Sequence, residues 1–244
     1  MSTSGSTSKS VRWDEALRQV TECLVASNER YFVDCGTLLG AIRDGDYIKW
    51  DNDIDLGLID DSDSARRYRN LVEQIHRRGF AVNLADNGFC CLRAPDVEIN
   101  VTFYRRRSDS YEAELYTADK RYAFISFLKY VRDGKYHATL GEGAKFKLKQ
   151  FLLRNMWLVR PLPDALLNYF AQIQGHIIRV PAFHLEISRR SFRGMELSFP
   201  ADPPAYLALR YGPDWRVPKR DYYYEKDDGA LAQPQRTSGT LNKL

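Results

Sequence analysis

Asp53 and Asp55 stand two positions apart in the segment Asp53-Ile54-Asp55-Leu56-Gly57-Leu58. On an extended strand both side chains leave the same face, about 7 Å apart along the backbone. Carboxylates so placed repel one another unless a proton, a cationic group or a metal intervenes. A hard divalent ion, magnesium or manganese, removes the conflict, because it takes one or two carboxylates and completes its shell with water or phosphate oxygens. Asp53 and Asp55 are therefore the candidate metal ligands and catalytic residues. Asp51 joins their face if the strand begins early, and would ligate or orient. An acid pair alone is a weak signal, common on solvated edge strands. Its surroundings strengthen it: Trp50 stands just before, apolar residues lie between, and a Gly36-Thr37 turn precedes.

Gly36 allows a tight turn, Thr37 would cap the short helix that follows, and Gly45 would stop it. Unpaired N–H groups at a helix start accept phosphate oxygens, and Arg43, about two turns on, would add a charge-assisted contact. Gly36, Thr37 and Arg43 are the candidate substrate-binding residues. Asp44 and Asp46 belong to the turn between helix and acidic strand.

The elements around these residues follow from apolar spacing. Trp13, Leu17, Val20 and Leu24 form one stripe of an amphipathic helix. Residues 30–34 read as a short buried strand, and residues 53–60 as the acid-bearing strand. A helix fills 61–79, opening on capping residues. Strands follow at 80–84, 88–93 and 96–104, the last placing Glu98, Asn100 and Thr102 on one face. From about residue 120 the pattern reads as helical, with Pro161 and Pro163 parting two helices. Residues 1–10, rich in Ser, Thr and Gly, are expected to be disordered. Residues 226–244 read as a flexible tail, which leaves one domain over 11–225. The order of strand, Gly-Thr turn, helix, acid-pair strand and a further acid-bearing strand is that of a nucleotidyltransferase-like fold. The expectation is an α+β protein with a mixed β-sheet core and a mostly helical C-terminal half.

The net charge of +4 over 244 residues is too small to imply nucleic acid. Its distribution is uneven. Residues 44–64 hold eight Asp and one Lys, and residues 120–160 hold ten Lys or Arg and two acids. Acid and base so segregated suit a metal-plus-phosphate site. The four cysteines include no C-x-x-C pair, so neither a disulfide framework nor a zinc site is expected. No apolar run approaches the roughly 18 residues of a spanning helix. The expected location is cytoplasmic. Residues 145–160, basic on one side and apolar on the other, would allow peripheral contact at the inner face of a membrane, although a core helix with lysines at its edge is the commoner reading. His137 and His184 are weak candidates for substrate contact, and His76 reads as a surface helix residue.

The segment Gly36-Thr37-Leu38-Leu39-Gly40, with Arg43, Ile48, Trp50, Asp51, Asp53 and Asp55, resembles the central motif of LicD-type proteins and the related fukutin family. A second stretch is similar to that family's closing signature: Phe192, Gly194, Pro200, Tyr206, Leu207, Tyr211, Gly212, Trp215 and Pro218. Together they bracket roughly residues 15–220. The resemblance implies a nucleotidyltransferase-like fold and a metal-dependent phosphotransferase. Such an enzyme would move phosphocholine or a phospho-polyol from a CDP-linked donor to a glycan or lipid-linked glycan acceptor. In its terms Asp53 and Asp55 bind the metal, with Asp51 beside it. The chain departs from the family at the third acid, where Asn100 stands. Glu98, two residues earlier on the same face, is the candidate substitute, and Glu98 or Asp51 the candidate base. The alternatives are an NTP-using nucleotidyltransferase and a non-catalytic subunit of a glycan-assembly complex.

Overall fold

The computed structural model describes residues 4–62, 65–94, 97–117, 123–171 and 174–232. The expected capping residues Asp63 and Ser64, residues 1–3 and residues 233–244 lie outside them. In chain order the first elements are α1 (Ser4–Ala26), β1 (Tyr31–Val33), α2 (Cys35–Arg43), β2 (Ile54–Asp60), α3 (Arg69–Arg77), β3 (Ala81–Ala85), β4 (Gly88–Ala94) and β5 (Val97–Arg107). Then come β6 (Ser110–Thr117), α4 (Ala123–Arg132), β7 (Tyr136–Leu140), α5 (Ala144–Arg154), α6 (Asp164–Ala171) and β8 (Gln174–Pro181). The chain closes with β9 (Ile187–Phe192), β10 (Met195–Pro200), α7 (Pro203–Tyr211) and α8 (Tyr224–Asp227).

The main sheet has the order β1-β2-β5-β4-β3-β7, with β6 joining β5 to β8. Only the β2–β5 pair is parallel among these described pairings. That pair places Asp55 level with Asn100, so the acid strand and the strand expected to carry the third acid are neighbours. Leu56 and Leu58 of β2, and Ile99, Val101 and Phe103 of β5, fill the opposite face as core. The alternation that puts apolar residues inward is what turns the polar residues of both strands toward one site.

α1 packs its stripe of Trp13, Leu17, Val20 and Leu24 into this core, each at most 1% exposed. The helix begins at Ser4 and so takes in residues 4–10 of the stretch expected to be disordered. Lys9 shows why: its ammonium donates to the Asp51 carbonyl at 2.9 Å and lies 4.6 Å over the Trp13 ring. The tail expectation also fails between 226 and 232. The Gly229 and Ala232 amides donate to the Arg210 and Ile177 carbonyls, and Asp228 is 4% exposed.

The C-terminal half is mixed rather than mostly helical. It holds β7, β8 and the β9–β10 hairpin besides its helices. Residues 174–181 become a strand because the edge of β6 offers its backbone groups for pairing; Ala113 and Tyr111 stand opposite Ile178 and Val180, and all four are buried. The hairpin is closed by Arg193-Gly194, both at positive φ (49° and 75°), the twist that a two-residue hairpin turn demands. Helices dominate only across 123–171, where Phe127, Val131 and Val159 centre a small core separate from the main one.

Candidate active site

The site begins at the start of α2. Its N-cap is Asp34, not Thr37: Asp34 Oδ1 accepts the Cys35 N–H at 2.7 Å, and its carbonyl accepts the Leu38 N–H at 2.9 Å. Thr37 is 2% exposed, and its hydroxyl accepts the Asp55 N–H at 2.9 Å. The Asp34 N–H in turn donates to the Asp55 carbonyl at 3.1 Å. These bonds pin the beginning of α2 to β2 at Asp55.

Gly36 sits where this pinning leaves no room. A Cβ there would lie 2.3 Å from Asp51 Oδ2 and 3.8 Å from Asp55 Oδ2. The glycine is needed because the Asp51 carboxylate occupies the space a side chain would take. The Gly36 N–H donates to Asp55, so the positive end of α2 is turned on a carboxylate of the protein itself. Gly40, a turn further along α2, is needed for the same reason: a Cβ there would meet the Asp46 carbonyl at 2.5 Å.

Asp51, Asp53 and Asp55 come together. Asp51 and Asp53 are in side-chain hydrogen-bonding contact, and both press on Asp55 electrostatically. Burial, then the charge of Asp53 and the bond to it, pushes the Asp51 carboxyl up to about 7. Burial, then Asp53, Asp51 and Asp34, raises Asp55 well above the ordinary carboxylate range. Asn100 Nδ2 donates to Asp53 Oδ2 at 2.9 Å. The site face of β5 therefore offers an amide, not a carboxylate. Glu98, two residues earlier, takes a weak bond from Cys90 Sγ at 3.4 Å and does not itself line the cavity, whereas Cys90 does.

The three aspartates line a cavity of about 710 Å³. Its other wall comes from the closing segment, with Arg210, Lys219, Arg220 and Tyr222. The Arg220 guanidinium lies 5.0 Å over the Trp50 ring, joining the two walls at that edge. Residues 221–226 are a loop and the start of the short α8, and Tyr222, Tyr223, Tyr224 and Glu225 line the cavity.

Among the described residues, no group of three or more His, Cys, Asp or Glu is arranged to hold a metal ion. The donors at Asp53 and Asp55 nonetheless fit magnesium or manganese: hard oxygens, partly dehydrated and crowded by like charge. Such ions need only one or two carboxylates where a substrate brings phosphate.

Other sequence candidates lie elsewhere. Arg43 is clasped to Asp44 at 2.7–2.8 Å, with 7% of its side chain exposed, and does not line the cavity. Nor do Thr37, His137 or His184. His137 is buried against the Asp86 carboxylate, and His184 packs on the Phe183 ring. The sequence reading missed Arg210, Lys219 and Arg220. Their signal was the closing Tyr211-Gly212 and Asp221-Tyr222-Tyr223-Tyr224 stretch, which nothing local links to Asp53.

Residues 28–137 match the family model described as LicD/FKTN/FKRP, nucleotidyltransferase domain. The chain carries a LicD-family domain. The matched span contains the cavity residues from Cys35 to Leu115, the three aspartates among them, while those at 210–228, which include Lys219, Arg220, Glu225 and Asp228, lie beyond it. Relatives of this LicD domain include ribitol 5-phosphate transferase FKRP of Mus musculus and of Homo sapiens, each 38% identical over 77 residues. Those alignments cover 30% of this chain and 16% of each relative. Among solved structures, the antibiotic-resistance factor ANT(2'')-Ia aligns over 62% of this chain and 90% of its own, with 15% identity and a TM-score of 0.34. Its complex with adenylyl-2''-tobramycin gives 13% identity, 63% and 95% coverage, and a TM-score of 0.31. Scores at that level establish no common fold. No described helix is long and apolar enough to cross a membrane.

Proposed function

We propose that this protein is a metal-dependent phosphotransferase that moves a phospho-alcohol group, phosphocholine or a phospho-polyol, from a CDP-linked donor to a hydroxyl of a glycan or lipid-linked glycan. The observation that supports the reading is one cavity whose lining holds Asp51, Asp53 and Asp55 together with Lys219 and Arg220. It is the charge arrangement that a diphosphate with a bound cation requires. A magnesium or manganese ion on Asp53 and Asp55 would neutralise the donor diphosphate and stabilise its leaving group. Lys219 and Arg220 hold phosphate oxygens in this reading, replacing the Gly36-Thr37 amides and Arg43. Trp50, beside Arg220, offers a flat surface for a base or headgroup. The acceptor hydroxyl attacks the phosphorus that carries the alcohol. The new O–P bond forms as the bond to CMP breaks, and Asp51, which lines the cavity as Glu98 does not, takes the hydroxyl proton.

Asn100 supports a second reading. An amide where the family places an acid suits a non-catalytic subunit that binds a CDP compound without turning it over.

CMP release from CDP-choline, CDP-ribitol and CDP-glycerol, with Mg²⁺ and a glycan acceptor, decides between them. Asp53→Asn and Asp55→Asn are each expected to cut turnover by about 10³-fold or more while the melting temperature stays within a few degrees. Turnover retained in either variant would remove the metal assignment. Donor binding without CMP release in the unaltered protein would favour the non-catalytic reading. Pyrophosphate release from an NTP would replace both with nucleotidyl transfer.

A further inference from the structure

Residues 145–160 contain Lys145, Lys147, Lys149, Arg154 and Arg160 and no acid. α5, which spans most of them, buries none of its residues. Its inner side is nevertheless committed. Lys149 lies 4.8 Å over the Phe127 ring, Gln150 donates to the Thr139 carbonyl at 3.1 Å, and Leu152 and Leu153 pack on the small helical core. With that register set, Lys147, Leu148, Phe151 and Arg154 follow one another on the outward stripe, at the three- and four-residue spacing of a single helix face. Leu148 is 48% and Phe151 54% exposed, and in the turn that follows Trp157 is 68% exposed. Among the described residues, Lys145, Lys147, Arg154 and Arg160 have no ion-pair partner.

We propose that the outward face of α5, continued by Trp157, is a docking surface for an anionic phospholipid bilayer. Exposed Phe and Trp at the centre, Lys and Arg at the flanks and no acid between them match the two contributions an interfacial helix needs. The apolar side chains enter the acyl boundary while the unpaired cations meet lipid phosphates. Trp157 suits the headgroup level, where an amphipathic ring is at home. Charge complementarity selects this occupant over a second copy of the chain, because two such faces would set like charges against each other.

The inner side of α5 is linked to the cavity through two strands. α5 bonds to β7 at Thr139, Thr139 stands opposite Asn83 on β3, and Asn83 lines the cavity. If the phosphotransfer reading holds, docking here brings an acceptor on a lipid carrier to the cavity's β3 edge. The docking itself does not depend on that reading, and its test needs no turnover.

Flotation of the full chain with vesicles of phosphatidylcholine and 30% phosphatidylglycerol, at low salt, tests the surface. The unaltered protein is expected in the floating fraction. Lys145→Gln/Lys147→Gln should lower partitioning about 25-fold, roughly 5-fold per cation. Phe151→Ser/Trp157→Ser should lower it by roughly tenfold or more. Both double variants should melt within about 3 °C of the parent, since these side chains are exposed. Failure of the unaltered protein to float would overturn the proposal. So would equal flotation on pure phosphatidylcholine, or a dimer that the Phe151→Ser/Trp157→Ser pair dissolves without any flotation.

Discussion

Asn100 occupies the position from which a third carboxylate would face Asp53 and Asp55. In the protein as it stands its amide donates to Asp53, offsetting part of the repulsion within the acid group. Asn100→Asp exchanges that donor for a like charge. Without divalent ions the variant should melt about 3–8 °C lower, from a cost of about 1–3 kcal/mol. With Mg²⁺ or Mn²⁺ at millimolar concentration its melting temperature should rise by more than the parent's, because the added carboxylate gives the ion a further ligand. A thermal melt with and without the ion reads both arms. An unchanged melting temperature in the metal-free variant would mean that the Asn100 amide does not support Asp53. The departure at Asn100 was visible in the sequence, but that Glu98 does not itself line the cavity was not. Both side chains leave the same face of β5, and only the β2–β5 register decides which is level with Asp55.

Between elements, the cavity walls are held by a buried group of charges. Arg210 of α7 bonds to Asp34, the cap of α2, at 3.3 Å and to Asp228, past α8, at 2.7 Å. Tyr104 of β5 and Tyr206 of α7 each donate to Asp34, at 2.6 and 2.7 Å. Asp34, Arg210 and Asp228 are all at most 4% exposed. An ion group so deep contributes modest net stability when whole, yet losing one member strands the others away from water. Asp228→Asn should therefore cost about 3–5 kcal/mol, seen as a lower urea midpoint at unchanged slope. Arg210→Lys should not be tolerated either, since one ammonium cannot reproduce a planar fork that reaches both aspartates. A midpoint within error of the parent's for Asp228→Asn would show that Asp228 is not a member of the lock. The closing motif was legible as packing, and Tyr206 does pack at 0% exposure. Its larger role, fastening the basic wall to the start of the acidic one, came from residues far apart in the chain.

The molecule as a whole has two cores of unequal size. The main core spans α1–α3, β1–β6, β8–β10 and α7, whereas among the described residues the helices of 123–171 gather around a smaller centre of Phe127, Val131 and Val159. A region with so few buried apolar contacts opens at lower free energy than the sheet it leans on. Native-state hydrogen exchange should find the amides of α4 and α5 exchanging before those of β2 and β5. Phe127→Ala should accelerate the first set and leave the second unchanged. Exchange of both sets in one cooperative step would contradict this division. The proposed membrane face thus lies on the less stable region of the protein.

The sequence alone determined the front of this protein. Apolar alternation in 53–60 and 97–104 fixes which side chains face inward, so the polar residues between them, Asp55 and Asn100 included, must share the other side. The helical stripe from Trp13 to Leu24 and the crowding of Asp51, Asp53 and Asp55 also follow from local spacing. What the tertiary structure decided were matters of long-range pairing. Residues 174–181 become a strand because β6 leaves an open edge for them to pair with. Lys9 bonds to Asp51, and Gly229 and Ala232 bond to Arg210 and Ile177, pairings that no local pattern announces. Thr37 turns inward to accept the Asp55 N–H. The phosphate-binding charge moves from α2 to Lys219 and Arg220 in the proposed mechanism. Local pattern encodes which face a residue takes, but not which distant segment closes over that face.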